Sequence, residues 1–386
     1  MGYRVCYITT LPSTIESFIL KHALYGIEHG DWDVTVICSD APGFRERLPQ
    51  AIRYIPVDMK RGISFSGFKS TAELFKILKT EQFDLVQYAT ANAGAYASLA
   101  AKWAKVPIRL YTQWGIGYVY MKGIRRFLKG SLERMICANS THVQPDSKEN
   151  LHIAFSEKLY DEKKGCVIGS GSACGIDLKK YDFSQKEKWR KETREKYSIP
   201  DESFVLGYVG RLLKDKGIDE LLDAFKAFHD RYPDTLLMIV GNDSVSEGVD
   251  QDKLKWARQE KSVIFTGPTN EVEKYYASMD CFTLPSYHEG FGMVTIEAEA
   301  MGVPIVDTDI PGSREAMQDG VTGILVPKKN AEALLNGIVQ MYESEEMRER
   351  FSRNGVEYVR RCFDDRILCE LTFQNRESLL SEAGRG

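Results

Sequence analysis

Apolar and polar positions follow two different periods along the first half of the chain. Short apolar runs bounded by turn residues are typical of buried strands, and apolar residues three and four positions apart are typical of helices. The pattern predicts strands at residues 4–10, 33–38, 52–57, 83–88, 108–112 and 142–145, and helices at about 68–79, 93–105, 123–137 and 148–155. Another helix is predicted to begin in a capping box, with Ser13 as N-cap and Glu16 three residues later, and to end near Gly30.

The second half repeats this alternation. Residues 165–177 predict a strand followed by small residues, whose glycines do not fit the G-x-G-x-x-G spacing of a dinucleotide site. A polar helix at about 185–197 follows. The pattern then predicts strands at 204–208, 235–240, 262–265, 281–284, 304–307 and 323–326, and helices at 218–231, 253–260, 271–278, 293–301, 331–342, 346–361 and 364–380.

Alternating helices and buried apolar strands predict parallel, doubly wound sheets. Two such series indicate an α/β protein of two Rossmann-like domains that face a cleft. We place these domains at residues 1–181 and 182–363, and we expect the last helix, in residues 364–386, to pack back toward the first domain. Open α/β sheets bind ligands at the carboxyl ends of their strands, so the segments after residues 208 and 284 are the candidate site.

Composition narrows the functional class. The 386 residues carry a formal net charge of −4, which argues against a general nucleic-acid binder. The eight cysteines contain no C-x-x-C pair, and the six histidines show no zinc-site spacing. No run approaches the ~20 apolar residues that a membrane-spanning helix needs. We therefore expect a cytoplasmic protein without a structural metal.

Residues 287–300 carry the first candidate chemistry. A predicted strand runs into a glycine loop and then into a helix, an arrangement that presents backbone N–H groups to a phosphate. Gly290 and Gly292 remove side chains that would block a ligand, and Glu289 and Glu297 lie on either side of the loop. Carboxylates bind sugar hydroxyls well, so one of them is suited to a hexose and the other to a ribose.

Residues 207–218 carry the second set of candidate functional residues. A strand ends near Gly210, Arg211 and Lys216 follow, and a helix begins at Gly217. Two cations beside a helix N-terminus suit a diphosphate. Lysine and arginine are also common in ordinary solvated loops, so the interpretation depends on the combination with the glycine loop.

Together, Gly210-Arg211…Lys216-Gly217 and Glu289-Gly290-Phe291-Gly292…Glu297 resemble the two signatures of the retaining glycosyltransferases of the GT-B fold. This is the large family, of the family 4 type with its Glu-x7-Glu motif, that includes sucrose synthases and many bacterial polysaccharide enzymes. The resemblance implies a UDP-sugar donor, a β-phosphate that accepts the acceptor's proton, and no metal. It implies catalytic roles for Glu289, Arg211 and Lys216, and donor contacts by Gly210, Thr266, Gly290, Phe291, Gly292, Met293 and Glu297.

The chain departs from that family in two places. Many relatives have a Gly-Gly pair where this chain has residues 9–14, and a histidine where it has Trp114. Trp114 either stacks on a sugar or packs in the core, and Gln113 beside it is a secondary candidate. The triplets Asp31-Trp32-Asp33 and Asp307-Thr308-Asp309 look like metal-binding D-x-D motifs, but we interpret both as incidental.

Aromatic and basic residues interleave in residues 118–129, and residues 60–69 have the same character. Such segments are typical of proteins that lie on an anionic membrane, although two ordinary surface loops would look alike. The first half also resembles bacterial capsule, exopolysaccharide and O-antigen enzymes that extend undecaprenyl-diphosphate sugars. We therefore expect peripheral attachment to the inner face of the cell membrane and a lipid-linked saccharide acceptor, contacted by Ser13, Gln113, Trp114, Tyr118, Lys122, Arg125 and Arg126.

Two other functions fit the same fold. A UDP-sugar epimerase would convert the donor without forming an acceptor product, and a non-catalytic partner of another transferase would bind the donor without turnover. The paired cations and paired glutamates favour the hexosyltransferase over both.

Overall fold

This computed structural model describes residues 2–59, 66–242 and 246–384, which form two compact units. The first unit comprises Met1–Gly175 with Arg366–Gly386, and the second comprises Ile176–Asp365. The predicted domain boundary at residue 181 thus lies within the second unit. Part of the predicted basic and aromatic segment, residues 60–65, lies outside the described residues.

The strands are β1 (Arg4–Ile8), β2 (Asp33–Cys38), β3 (Ile52–Pro56), β4 (Leu85–Ala89), β5 (Ile108–Gln113), β6 (His142–Pro145), β7 (Phe204–Val209), β8 (Thr235–Val240), β9 (Val263–Gly267), β10 (Cys281–Leu284), β11 (Ile305–Thr308) and β12 (Gly323–Val326). The helices are α1 (Pro12–Thr14), α2 (Leu20–Gly30), α3 (Phe44–Arg47), α4 (Ser66–Glu81), α5 (Ala91–Trp103), α6 (Gly123–Asn139), α7 (Lys148–Ser156), α8 (Lys186–Lys196), α9 (Ile218–Arg231), α10 (Gln251–Gln259), α11 (Val272–Ser278), α12 (Met293–Ala300), α13 (Pro311–Ala316), α14 (Ala331–Glu343), α15 (Glu345–Cys362) and α16 (Asp365–Ala383). A π-helical turn, Ile15–Ile19, joins α1 to α2, and 3-10 turns occur at Gly117–Tyr120, Phe183–Gln185 and Lys214–Lys216.

Each unit contains one six-stranded sheet whose pairings are all parallel. The strand order is β3-β2-β1-β4-β5-β6 in the first unit and β12-β11-β10-β7-β8-β9 in the second. In both orders the chain starts near the centre, moves to one edge, and then returns to build the other. The predicted doubly wound α/β fold is confirmed. Because parallel strands are covered by helices on both faces, their sequences are nearly continuous apolar runs. The strands could therefore be predicted from the sequence.

Helix α16 packs on the first unit. The Trp32 indole donates a hydrogen bond to Glu377 Oε1 at 2.7 Å. The buried Arg376 guanidinium donates to Gln87 Oε1 at 3.1 Å and to Gln144 Oε1 at 2.5 Å. Burial among these neutral partners lowers the pKa of Arg376 to about 10. These bonds tie the end of the chain to strands β4 and β6.

Two local predictions were wrong, and helix α13 was missed. Ser13 is exposed inside a helical turn that begins at Pro12, so it is not an N-cap; with proline at the first helical position, the helix starts two residues earlier than predicted. Residues 166–168 form no strand, and Gly165 makes only an isolated bridge to Val143, because the following glycines turn into left-handed conformations. Helix α13 was not predicted at all, since six residues are too few to show a period.

Candidate active site

Gly217 brings the two signature segments of the second unit together. It has φ +70° and precedes α9, and a Cβ atom placed on it would lie 1.9 Å from the carbonyl oxygen of Pro285. Only glycine fits both this conformation and this approach. The loop after β7 therefore lies directly against the loop after β10.

The contact between these loops is an ion pair. Lys216 Nζ lies 2.5 Å from Glu289 Oε1, and the side chains are 17% and 16% exposed. The Ser286 hydroxyl donates to the same carboxylate oxygen at 2.7 Å. A carboxylate and an ammonium are thus positioned next to each other at the carboxyl ends of adjacent strands β7 and β10, with limited access to water.

Further hydrogen bonds and ionic contacts around the Lys216–Glu289 pair join the two loops. The backbone N–H of Tyr287 donates to the carbonyl of Asp215 at 2.8 Å, and the Tyr287 hydroxyl donates to Glu220 Oε1 at 2.8 Å. His288 Nε2 lies 3.7 Å from Asp215 Oδ2. Burial lowers the pKa of His288, and the nearby Asp215 carboxylate partly opposes this effect. The two residues that precede Glu289 are therefore held against the loop after β7 and the first turn of α9.

Arg211 supplies a second cation on the loop after β7. Its side chain is exposed, while its backbone carbonyl accepts a hydrogen bond from the buried Tyr208 hydroxyl at 2.8 Å. The backbone is thus anchored and the guanidinium faces solvent. Such a group can reach a ligand phosphate through two parallel hydrogen bonds.

Glu297 lies one turn into α12 and is held by tyrosines. The Tyr276 hydroxyl donates to Glu297 Oε2 at 3.0 Å. Burial raises the pKa of Glu297, and hydrogen bonds from Tyr276 and Tyr181 oppose the increase. A carboxylate restrained in this way is a precise acceptor for ligand hydroxyl groups. Neither tyrosine belongs to a motif that could be found in the sequence.

The other predicted donor residues divide into backbone and side-chain contributors. Gly292 caps α12 in a left-handed conformation, and Met293 begins the helix. The Phe291 side chain is 3% exposed and packs on Phe363, so only its backbone is available to a ligand. The Thr266 hydroxyl, on β9, donates to its neighbour's carbonyl at 3.0 Å. Gly210 and Gly290 lie in the two loops that Gly217 brings together.

Helix α13 forms a support for the site that sequence reasoning missed. A Cβ atom on Gly312 would lie 2.6 Å from Glu289 Cβ, so glycine is needed for α13 to approach the loop. The Thr308 hydroxyl, just before α13, donates to the Ser286 carbonyl at 2.5 Å. The Pro-Gly-Ser start of α13 was the one available signal, because proline is favoured in the first helical turn.

Asp307, on β11 shortly before α13, is a buried acid. Its two oxygens accept hydrogen bonds from the Thr308 N–H at 2.7 Å and the Thr295 hydroxyl at 3.0 Å. Burial raises the pKa of Asp307 to about 7, partly opposed by these hydrogen bonds. Both oxygens of Asp307 thus accept hydrogen bonds within the second unit, and the other acid of the D-x-D triplet, Asp309, pairs with Arg314 at 2.6 Å.

The raised pKa predicts a pH-dependent stability. An unfolded aspartate has a pKa of about 3.9, so the unfolded chain releases this proton before the folded chain does. The stabilising effect of the protonated carboxyl is full below about pH 4 and is lost as pH rises to about 7. We expect Asp307→Asn to become progressively more stable relative to the parent protein across that range. Urea midpoints at several pH values, with Asp309→Asn as control, test this; a constant difference for Asp307→Asn would contradict it.

Two acceptor candidates of the first unit pack against neighbouring side chains. Gln113 is 0% exposed, with its amide nitrogen 2.5 Å from Glu133 Oε1 and its oxygen accepting from the Tyr160 hydroxyl at 2.8 Å. Its side chain therefore belongs to the core. Trp114 is half-buried, packs on Phe18 with ring centroids 5.0 Å apart, and lines a small cavity of about 40 Å³.

The remaining candidates lie around α6. Tyr118 is 5% exposed and donates to Glu157 Oε2 at 3.2 Å. Arg126 forms an ion pair with the same glutamate at 2.5 Å, so its positive charge is balanced within the protein. Lys122 and Arg125 are exposed. None of the helices in the described residues is both long and apolar enough to cross a membrane.

Two families of known proteins match successive parts of the chain. The family described as glycosyl transferase 4-like matches residues 4–147, and the family described as glycosyl transferases group 1 matches residues 190–358. The capsular polysaccharide biosynthesis glycosyltransferase CapM of Staphylococcus aureus is 28% identical over 95% of both chains. An N,N'-diacetylbacillosaminyl-diphospho-undecaprenol alpha-1,3-N-acetylgalactosaminyltransferase of Campylobacter jejuni is 28% identical over 79% of this chain and 80% of its own.

Solved structures show the same fold. Sucrose-phosphate synthase from Thermosynechococcus elongatus superposes with a TM-score of 0.77 at 20% identity, covering 98% of this chain and 100% of its own. Anabaena HepE in complex with UDP and glucose gives 0.77 at 18% identity, covering 97% of this chain and 100% of its own. The predicted resemblance is confirmed: the chain belongs to the glycosyltransferases of the GT-B fold, with a glycosyl transferase 4-like first domain and a group 1 second domain.

Proposed function

We propose that the protein is a retaining hexosyltransferase that moves a hexose or N-acetylhexosamine from a UDP-sugar to a polyprenyl-diphosphate-linked sugar. The observation that carries the proposal is the ion pair between Lys216 and Glu289, beside the exposed Arg211. Two cations suit a diphosphate, and a fixed carboxylate suits a sugar hydroxyl.

The proposed roles follow from these positions. Arg211 and Lys216 bind the two phosphates and stabilise the charge that develops as the bond from C1 to the phosphate oxygen breaks. Glu289 holds the donor sugar, and Glu297 holds the ribose. The acceptor hydroxyl bonds to C1 on the face from which the diphosphate departs, and its proton goes to the β-phosphate. In this proposal the protein's own cations supply the positive charge, and no metal is required.

The proposed acceptor and pathway are supported by the named relatives. The Staphylococcus aureus relative is named for capsular polysaccharide biosynthesis, and the Campylobacter jejuni relative for transfer to a diphospho-undecaprenol sugar. An Escherichia coli relative, 24% identical over 80% of this chain and of its own, is named a UDP-Gal:alpha-D-GlcNAc-diphosphoundecaprenol alpha-1,3-galactosyltransferase. We assign this protein to bacterial surface polysaccharide synthesis on that basis.

The test is product analysis with a panel of UDP-sugars and undecaprenyl-diphosphate-linked sugars. Mass spectrometry is expected to show one acceptor extended by one hexose or N-acetylhexosamine, and NMR is expected to show an anomeric configuration equal to that of the donor. Inverted configuration would refute retention. Donor conversion without an acceptor product would identify an epimerase, and UDP-sugar binding without turnover would identify a non-catalytic partner.

We further propose that α6 attaches the first unit to the inner face of the cell membrane. Ile124, Phe127 and Leu128 are 69%, 67% and 51% exposed, which is unusual for large apolar side chains. Lys122 and Lys129, both exposed, lie among them. An exposed helix face that combines apolar and basic residues suits the surface of an anionic bilayer.

Charge reversal on α6 tests the attachment. Arg125→Glu with Lys129→Glu is expected to reduce flotation with anionic liposomes at least tenfold, since each cation near such a surface contributes about 1 kcal/mol. Arg126 is left unchanged because its reversal would break the pair with Glu157. Lys188→Glu with Lys191→Glu, on exposed positions of α8, changes net charge equally and serves as the control. Equal flotation of both double variants would refute attachment through α6.

A further inference from the structure

A large apolar cavity lies within the first unit, between α4, α5 and α6. Its volume is about 680 Å³, within the range of about 300–1,000 Å³ typical of small-molecule sites. We call it the α4–α6 cavity. Its lining is mainly aliphatic and aromatic, and none of the described residues along it is an acid.

Two helical stripes form its walls. On each of two helices the lining residues recur three and four positions apart. On α5 they are Asn92, Ala95, Tyr96, Leu99 and Trp103, and on α6 they are Arg125, Leu128, Lys129, Leu132 and Met135. This spacing places each set on one face of its helix. Such faces normally pack on each other, but here a space remains between them. Ala95 is the smallest of the α5 residues that line the cavity, and it is half-buried.

The mouth of the cavity is apolar and cationic. Phe68 is 78% exposed, Trp103 is 58% exposed and Leu128 is 51% exposed, so large apolar side chains face water when the cavity is empty. Arg125 and Lys129 belong to the same lining and are also exposed. A pocket with a mainly apolar lining suits an apolar ligand, and the cations favour a ligand with an anionic end.

We propose that the α4–α6 cavity binds the isoprenoid chain of the polyprenyl acceptor, next to its diphosphate. This inference rests on the proposed function, which supplies the lipid. The cavity shares Arg125, Leu128 and Lys129 with the face of α6 assigned to the membrane, so a chain can pass from bilayer to cavity without crossing water. The apolar walls take the branched chain, and the two cations hold the phosphate end.

Binding of water-dispersible probes tests this directly by calorimetry below their micelle concentrations. Geranylgeranyl phosphate is expected to bind the full-length protein with a 1:1 stoichiometry, at least 30-fold more tightly than inorganic phosphate. Hexadecyl phosphate, which has the same headgroup on an unbranched chain, is expected to bind at least fivefold more weakly. Equal affinity for the two lipids would overturn the choice of an isoprenoid, and equal affinity for geranylgeranyl phosphate and inorganic phosphate would overturn a chain site.

Filling the cavity tests the location. Ala95→Phe is expected to weaken geranylgeranyl phosphate binding at least tenfold, whereas Ala51→Phe, the same change at an exposed position outside the lining, is expected to leave it unchanged. Leu99→Trp is the second filling variant, in case Ala95→Phe does not fold. Unchanged affinity in the folded filling variant would refute the assignment.

A kinetic comparison separates this inference from the proposed function. Transfer is measured with an undecaprenyl acceptor and with the same sugar diphosphate on a short chain. The filling variants are expected to raise KM for the undecaprenyl acceptor at least tenfold, with kcat and the short-chain KM unchanged. If the filling variants show an unchanged KM for the undecaprenyl acceptor, the cavity assignment is refuted, but the proposed transferase function is not. Absence of transfer to any acceptor by the parent protein would instead refute the proposed function.

Discussion

Replacement of Glu289 by glutamine is expected to lower kcat by about 10²–10³-fold, the effect of removing one preorganised electrostatic contact in an active site. The carboxylate is 16% exposed and holds Lys216 at 2.5 Å. Glutamine keeps the size of the side chain but removes the charge that orients both the lysine and a sugar hydroxyl. Steady-state kinetics with a UDP-sugar and its acceptor measure the loss.

The control for Glu289→Gln is Glu220→Gln. Glu220 accepts a hydrogen bond from the Tyr287 hydroxyl at 2.8 Å, so it touches the same loop without contacting Lys216. The chemical change is identical, and we expect kcat to stay within about threefold because a neutral amide oxygen still accepts this bond. Similar losses in both variants would show that loop stability, and not the Glu289 carboxylate, is being measured.

Replacement of Lys216 by methionine is expected to lower kcat/KM for the donor by about 10²-fold or more, since a charge-assisted bond to phosphate is lost. Methionine retains most of the apolar stem. Lys214→Met is the matched control: Lys214 is two residues away, 60% exposed, and pairs with Asp219 at the surface at 3.7 Å. We expect its effect to be small, because exposed ion pairs contribute little.

The two substitutions are also expected to be strongly non-additive. Lys216 and Glu289 share one ion pair, and residues in contact show interaction energies of about 0.5–3 kcal/mol. After Glu289→Gln, Lys216 is no longer held by the carboxylate, so its later removal costs less. A double variant whose loss in kcat/KM equals the product of the single losses would show that the two side chains act independently.

The strands of both units could be predicted because the strands of a parallel sheet covered by helices are apolar along their whole length. Strands β6, β8, β10 and β12 begin and end at the predicted residues. The two segments of the candidate site, residues 207–218 and 287–300, could be identified for a similar reason, since glycines and charged residues closely follow a predicted strand in each. In both cases the signal is local in sequence.

What could not be predicted depends on contacts between distant residues. Gly312 matters because its backbone approaches Glu289, and nothing in the sequence pairs residues 23 positions apart in this way. Gln113 was predicted to contact the acceptor, as a neighbour of Trp114, but its amide is buried and hydrogen-bonded to Glu133 and Tyr160. The predicted capping box failed for the opposite reason, since a local signal at Ser13 was overridden by Pro12 beside it.

Calorimetric titration of UDP into the protein, in the presence of EDTA, is the decisive experiment for the donor site. Saturable 1:1 binding without a divalent cation is expected. Affinity is expected to fall by about 10²-fold or more when Arg211 and Lys216 are both changed to methionine, because two charge-assisted phosphate contacts are lost. Lys214→Met is expected to leave the affinity unchanged. UDP binding that requires a metal, or that survives the double change intact, would contradict the assignment of these cations to the donor diphosphate.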